Sequence, residues 1–139
     1  MKTIKQIIEN YGGMNWLKQG GNYIRIEKPG YERLVIEYIG DQDGKPDFPM
    51  ISVAHYYEQN GDAMRDPEMT FMTNSNGNWF PMTYQTDNPP SYQEAIWKNE
   101  NDKWMINQGL IKDLTSFSNQ WDRNIREQGF ADVPVKTVA

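Results

Sequence analysis

The sequence predicts an α+β domain, with about five strands in a mostly antiparallel sheet, a short N-terminal helix and a long C-terminal amphipathic helix. Three observations carry this expectation. Apolar residues recur at spacings of three and four near both ends of the chain, and they alternate with polar residues through the middle. Clusters of Gly, Pro and Asn punctuate the alternating runs. Strands that follow one another without intervening helices favour antiparallel pairing, with the helices gathered on one face.

Ile4, Ile7, Ile8 and Tyr11 form the first apolar stripe, with Thr3 as the expected N-cap and Gly12-Gly13 as the stop. A short further turn is expected around Trp16 and Leu17, released at Gly20-Gly21. Residues 22–28 (NYIRIEK) alternate as a half-buried strand does. Lys28-Pro29-Gly30-Tyr31 then reads as a type II turn, because Pro presets φ and Gly accepts a positive φ. Residues 33–40 are the hairpin partner, and residues 41–49 form a loop.

A third strand is expected over residues 50–57, with Ile51, Val53, His55 and Tyr57 on one face. A fourth covers residues 68–73, after a polar loop DAMRDP, and a fifth covers residues 78–86. Pro81 suggests an edge position for the fifth, since it lacks an N–H for a ladder. Residues 87–91 (DNPPS) are expected to break the sheet. Ile106, Leu110, Leu114, Phe117, Trp121 and Ile125 outline the final helix, which Gln128-Gly129 closes. One domain is expected over residues 1–130, with residues 131–139 as a flexible tail.

Composition narrows the function. Cysteine is absent, which excludes disulfides, thiolate nucleophiles and Cys-ligated metals. No apolar run matches a signal peptide or a membrane span, so a soluble cytoplasmic protein without membrane attachment is expected. The formal charge of −5 mixes both signs along the chain, which argues against nucleic acid as the partner. Five Trp, eight Tyr and five Phe are enough to fill a small core and to leave some exposed as recognition anchors.

Reactive side chains concentrate in residues 51–71. The only histidine, His55, lies there with Glu58, Asp62, Arg65, Asp66 and Glu68, around a turn at Asn60-Gly61. His55 is a candidate general base that Asp62 or Asp66 would orient, or else a half-buried strand histidine bonded to the backbone. Asp62, Asp66 and Glu68 are candidate ligands for a hard divalent cation, although their spacing fits no compact metal motif. Arg65-Asp66-Pro67 also reads as a rigid connection, since the residue before Pro is driven to extended geometry. No nucleophile elbow, phosphate loop or dinucleotide fingerprint occurs, and no motif asks for a cofactor.

The string His55-Tyr56-Tyr57-Glu58-Gln59-Asn60-Gly61-Asp62, followed by Met64-Arg65-Asp66-Pro67-Glu68-Met69, resembles the hallmark of a family of small domains of unknown function. Its members are encoded largely by bacteria, their phages and plasmids. The resemblance extends to Gly30-Tyr31-x-x-Leu34 and to Trp121-x-x-Asn124 with Gln128-Gly129-Phe130. Ala63 departs from the larger aliphatic residue expected there. The resemblance brings no catalytic residue with it. It implies a mobile-element role, such as an accessory or anti-defence protein that binds a host complex.

The function expected is therefore a non-catalytic protein-interaction module with a protein partner. Tyr56, Tyr57, Glu58, Arg65 and Trp79 are its candidate binding residues. The alternative is a small metal-dependent phosphoester hydrolase built on His55, Asp62, Asp66 and Glu68. The sequence does not fix the oligomeric state.

Overall fold

A computed structural model describes residues 1–135 of the chain. Its centre is a six-stranded antiparallel sheet in the order β1-β2-β3-β4-β5-β6, so each strand pairs with its neighbour in sequence. The strands are β1 (Ile24–Ile26), β2 (Arg33–Asp41), β3 (Pro49–Gln59), β4 (Asp62–Thr73), β5 (Trp79–Asp87) and β6 (Pro90–Glu94). A separate hairpin of β7 (Ile96–Lys98) and β8 (Trp104–Ile106) follows. Helices α1 (Lys2–Tyr11), α2 (Met14–Leu17) and α3 (Gln108–Glu127) complete the α+β arrangement that the sequence predicts.

Alternation fixes which face is buried. Ile24, Ile36, Val53, Met69 and Tyr84 lie in one row across five strands, and Ile26, Leu34 and His55 lie in the next. These rows meet Ile4, Ile7 and Ile8 of α1 and Leu114, Trp121 and Ile125 of α3 in one core. Burying each such side chain stabilises the fold by about 1.5–3 kcal/mol. The opposite face carries Arg25, Val35, Ala54, Glu68, Gln85 and Tyr92 in one row.

The turn signals hold where Gly is required. Gly30 has φ 87°, and the Tyr31 amide donates to the Lys28 carbonyl at 3.1 Å, as a type II turn needs. Gly129 has φ 84° and ends α3 in the left-handed conformation. Phe130, immediately after it, is 1% exposed and closes one end of the core. Ala131 and Val133 pack against the same core, while residues 136–139 of the expected tail lie outside the described residues.

Several expectations are corrected. The sheet has six strands, because the segment expected to break it is a tight β5–β6 turn with Asp87 opposite Pro90. β5 is therefore interior, although Pro81 lies beyond the part that β6 covers. β4 begins at Asp62, so the polar DAMRDP loop is strand. Ile106 ends β8 and is 58% exposed, so the α3 stripe starts at Leu110. Phe117, 39% exposed, covers Tyr84 edge-on at a centroid distance of 5.3 Å.

Thr3 does not cap α1; it lies within the helix and is buried. The cap comes from the far end of the chain. The Thr3 and Ile4 amides donate to Asp122 Oδ2 and Oδ1, each at 3.1 Å, from the buried side of α3. One carboxylate thus satisfies two N–H groups that α1 cannot satisfy internally, and its charge meets the positive end of the helix dipole. Asp122→Ala leaves both amides buried and unpaired. It is expected to lower unfolding stability by about 2 kcal/mol in urea denaturation, with Asp122→Asn losing less because its one carbonyl oxygen still accepts.

Candidate functional site

Strand β3 outruns its neighbours at one end of the sheet. Its ladder with β2 stops at Arg33 opposite Tyr56, whereas its ladder with β4 continues to Gln59 opposite Asp62. On the other flank, β4 pairs with β5 only from Glu68 onward. The β3–β4 hairpin therefore projects beyond the sheet as a two-stranded arm. Asn60 at φ 53° and Gly61 at φ 85° make the tight tip, since both central residues need a positive φ.

At the root of the arm the register shifts. Ala54 faces Glu68 and Tyr56 faces Arg65, so His55 is opposed by two residues, Asp66 and Pro67. The peptide bond joining those two is cis. The bulge brings Asp66 to Glu32, the last residue before β2, and the two carboxyls share a hydrogen bond. Partial burial of Glu32, together with Asp66 beside it, pushes the Glu32 carboxyl up to about 7.

His55 is 7% exposed. Its Nδ1 lies 3.1 Å from the Glu32 carbonyl oxygen, and its ring meets Trp121 edge-on at 5.7 Å and Phe130 at 5.5 Å. Burial lowers its pKa, with the backbone bonds and Asp66 opposing that shift in part. His55 is thus a neutral ring built into the aromatic end of the core. This arrangement matches the backbone-bonded reading of that residue.

The remaining acidic candidates go to different places. Asp62 is exposed in the arm, opposite Gln59. Asp66 faces Glu32 at the bulge, and Glu68 accepts from Ser52 at 3.2 Å on the opposite sheet face. Among the described residues, no group of three or more His, Asp and Glu is gathered to hold a metal ion. Arg65 is held internally. Its backbone amide and Nε both donate to Asp87 Oδ2, at 2.8 and 2.9 Å, and a terminal nitrogen donates to Gln85 at 2.9 Å. Arg65 in turn holds the Asp87 carboxyl below its usual range.

Tyr56, Tyr57 and Glu58 come together on one wall of an open groove of about 850 Å³. The turn at residues 27–32 forms the other wall. Arg33 lies across the root, stacked 5.5 Å from the Tyr56 ring and ion-paired with Glu58 at 2.8 Å. Trp79 is remote from this groove. It lies at the opposite end of β4, packed on Phe71 at 5.4 Å beside a separate recess of about 410 Å³. The sequence reading did not single out Glu32 and Arg33. Both stand at a strand entry, where neither periodicity nor motif reports contacts made on the next strand or the one beyond it.

Fold and groove together define a small α+β domain whose reactive side chains are mostly tied up internally and whose aromatic groove is open. The chain matches the family model DUF6908, described as a domain of unknown function, over residues 2–131, and it belongs to that family. No curated protein and no solved structure matches it.

Two opposing pH effects follow from the burial of Glu32 and His55. The Glu32 pKa is raised on folding, so its contribution to stability is complete below about 4.5 and is lost as pH rises to about 7. The His55 pKa is lowered, so its contribution is present above about 6.5 and is lost as pH falls below that value. Denaturant melts of Glu32→Gln across pH 4–8 are expected to lack the first limb and to keep the second.

Proposed function

We propose that this protein is a non-catalytic protein-interaction module that docks a partner in the groove between the residue 27–32 turn and Tyr56–Glu58. The observation that carries this reading is the open wall of Tyr56, Tyr57 and Glu58, which starts at the last pair of the neighbouring strand and runs past its end. Tyrosines offer large, rigid contact area with few torsions to freeze, which suits them to anchor an interface. The nearby groups that would serve catalysis are engaged elsewhere: His55 by the Glu32 carbonyl and Trp121, and Arg65 by Asp87. A role as an accessory or anti-defence protein of a mobile element rests on the resemblance of the central motif to domains carried by phages and plasmids.

The test is site-specific photo-cross-linking in the native host. A photoreactive residue at Tyr57 is expected to trap a partner, whereas one at Tyr92, on the distant edge strand, is not. Tyr56→Ala is expected to weaken the trapped complex by at least about tenfold, a loss of 1.4 kcal/mol or more, with the melting curve little changed. Equal trapping at both positions would remove the groove from the interface. A thermal-shift titration with Mg²⁺ or Mn²⁺ is expected to leave the melt unmoved. A stabilisation near 2.7 kcal/mol at 100 times the dissociation constant, abolished in Asp66→Asn, would overturn the non-catalytic reading in favour of a metal-dependent hydrolase.

A further inference from the structure

The arm specifies the kind of partner it takes. Among the described residues, residues 57–59 of β3 pair with β4 on one side only, and the ladder that would occupy the other side ends at Arg33. Their outward backbone groups form an unprotected strand edge. Sheets usually blunt such an edge with lysine or proline, and residues 57–64 contain neither. The edge also faces open space, because it forms one wall of the 850 Å³ groove.

Carboxylates outnumber cations around this edge. Residues 57–64 carry Glu58 and Asp62 and no cation. Across the groove, the turn adds Glu27, which is ion-paired with Arg25, and Glu32, which is bonded to Asp66. The opposing cations are Arg33, already matched by Glu58 and the Tyr56 ring, and Lys28, whose ammonium lies against Gly129. The rings of Tyr31 and Tyr57 line the groove between these charges and suit the stem or head of a Lys or Arg.

We infer that the free flank of Tyr57–Gln59 accepts one extended, basic segment of the partner protein, which continues the line of β2 and adds a strand to the arm. Main-chain hydrogen bonds to residues 57–59 supply the affinity, and Glu58 with its acidic neighbours selects Lys or Arg side chains. The inference rests on the docking reading above and adds both the conformation and the charge of the bound segment.

The test uses the full chain and three fluorescein-labelled hexapeptides: alternating Lys-Val, alternating Glu-Val, and alternating Lys-Val with N-methylated backbone nitrogens. Anisotropy measures binding, and ¹⁵N amide shifts locate it. The Lys-Val peptide is expected to bind at least about tenfold more tightly than either of the others and to perturb the amides of residues 57–59. Glu58→Lys is expected to abolish that preference, while Glu94→Lys on β6, a charge change of the same sign elsewhere, leaves it intact.

Equal binding of the methylated peptide would overturn strand addition, and equal binding of the Glu-Val peptide would overturn the charge assignment. Binding of none would overturn the inference as a whole. A concentration-dependent dimer that Glu58→Lys dissolves would overturn it too, by giving the edge to a second copy. In every one of these cases, cross-linking at Tyr57 decides separately whether the groove is a docking site.

Discussion

A single buried carboxylate holds the helical layer together. Asp122 projects from α3 and takes two amides at the start of α1, so the two helices that cover the sheet are fastened to each other as well as to the strands. The core depends on that fastening. Ile4, Ile7 and Ile8 reach the inner rows of the sheet only if α1 lies where Asp122 puts it, and Trp121 beside Asp122 packs on His55. A charge at this depth is tolerated because both oxygens accept from the backbone at the positive end of a helix. The apolar contacts supply the larger energy, and the carboxylate selects which helix arrangement receives it.

The same packing determines what His55 can do. Enclosed by Trp121 and Phe130 and bonded through Nδ1 to the Glu32 carbonyl, the ring serves as a structural joint between β3, the entry to β2 and the end of α3. The bulge opposite it turns Asp66 toward Glu32. Polar chemistry is consequently shared between an internal cluster at the bulge and the open groove beyond it. Glu32 belongs to both, since its carbonyl supports His55, its carboxyl meets Asp66 and the residue lines the groove.

Elements set by local rules were legible in the sequence. α3 announces itself through Leu110, Leu114, Trp121 and Ile125, the β1–β2 turn through Pro29-Gly30, and the inner face of β3 through strict alternation. Features set by distant partners were not. Thr3 looks like a cap because the acceptor that replaces it lies 119 residues away. β6 is hidden because Pro89 precedes and Pro90 opens a mostly exposed polar strand, and the start of β4 is hidden because Pro67 sits in a bulge. The candidate site shows the same division. Tyr56, Tyr57 and Glu58 were legible as a cluster, whereas Glu32 and Arg33 join them only through pairing of β2 with β3. Ile106 fits the helical spacing and yet belongs to a strand, because Asn107 intervenes and caps α3 by accepting from the Leu110 amide.

The Asp122 cap also orders events in time. All six strands of the main sheet are complete by Glu94, yet the side chains that shield its inner face include Trp121, Ile125 and Phe130. During synthesis the nascent sheet must wait for those residues to leave the ribosome, and α1, made before the sheet, waits longest for its cap. Contacts closed over more than a hundred residues slow folding, because the entropy of a long loop is lost before any contact rewards it. A chain halted before Asp122 exposes an aliphatic sheet face and an uncapped helix together, which is the state that chaperones and proteases recognise. Quality control over this protein therefore falls on α3.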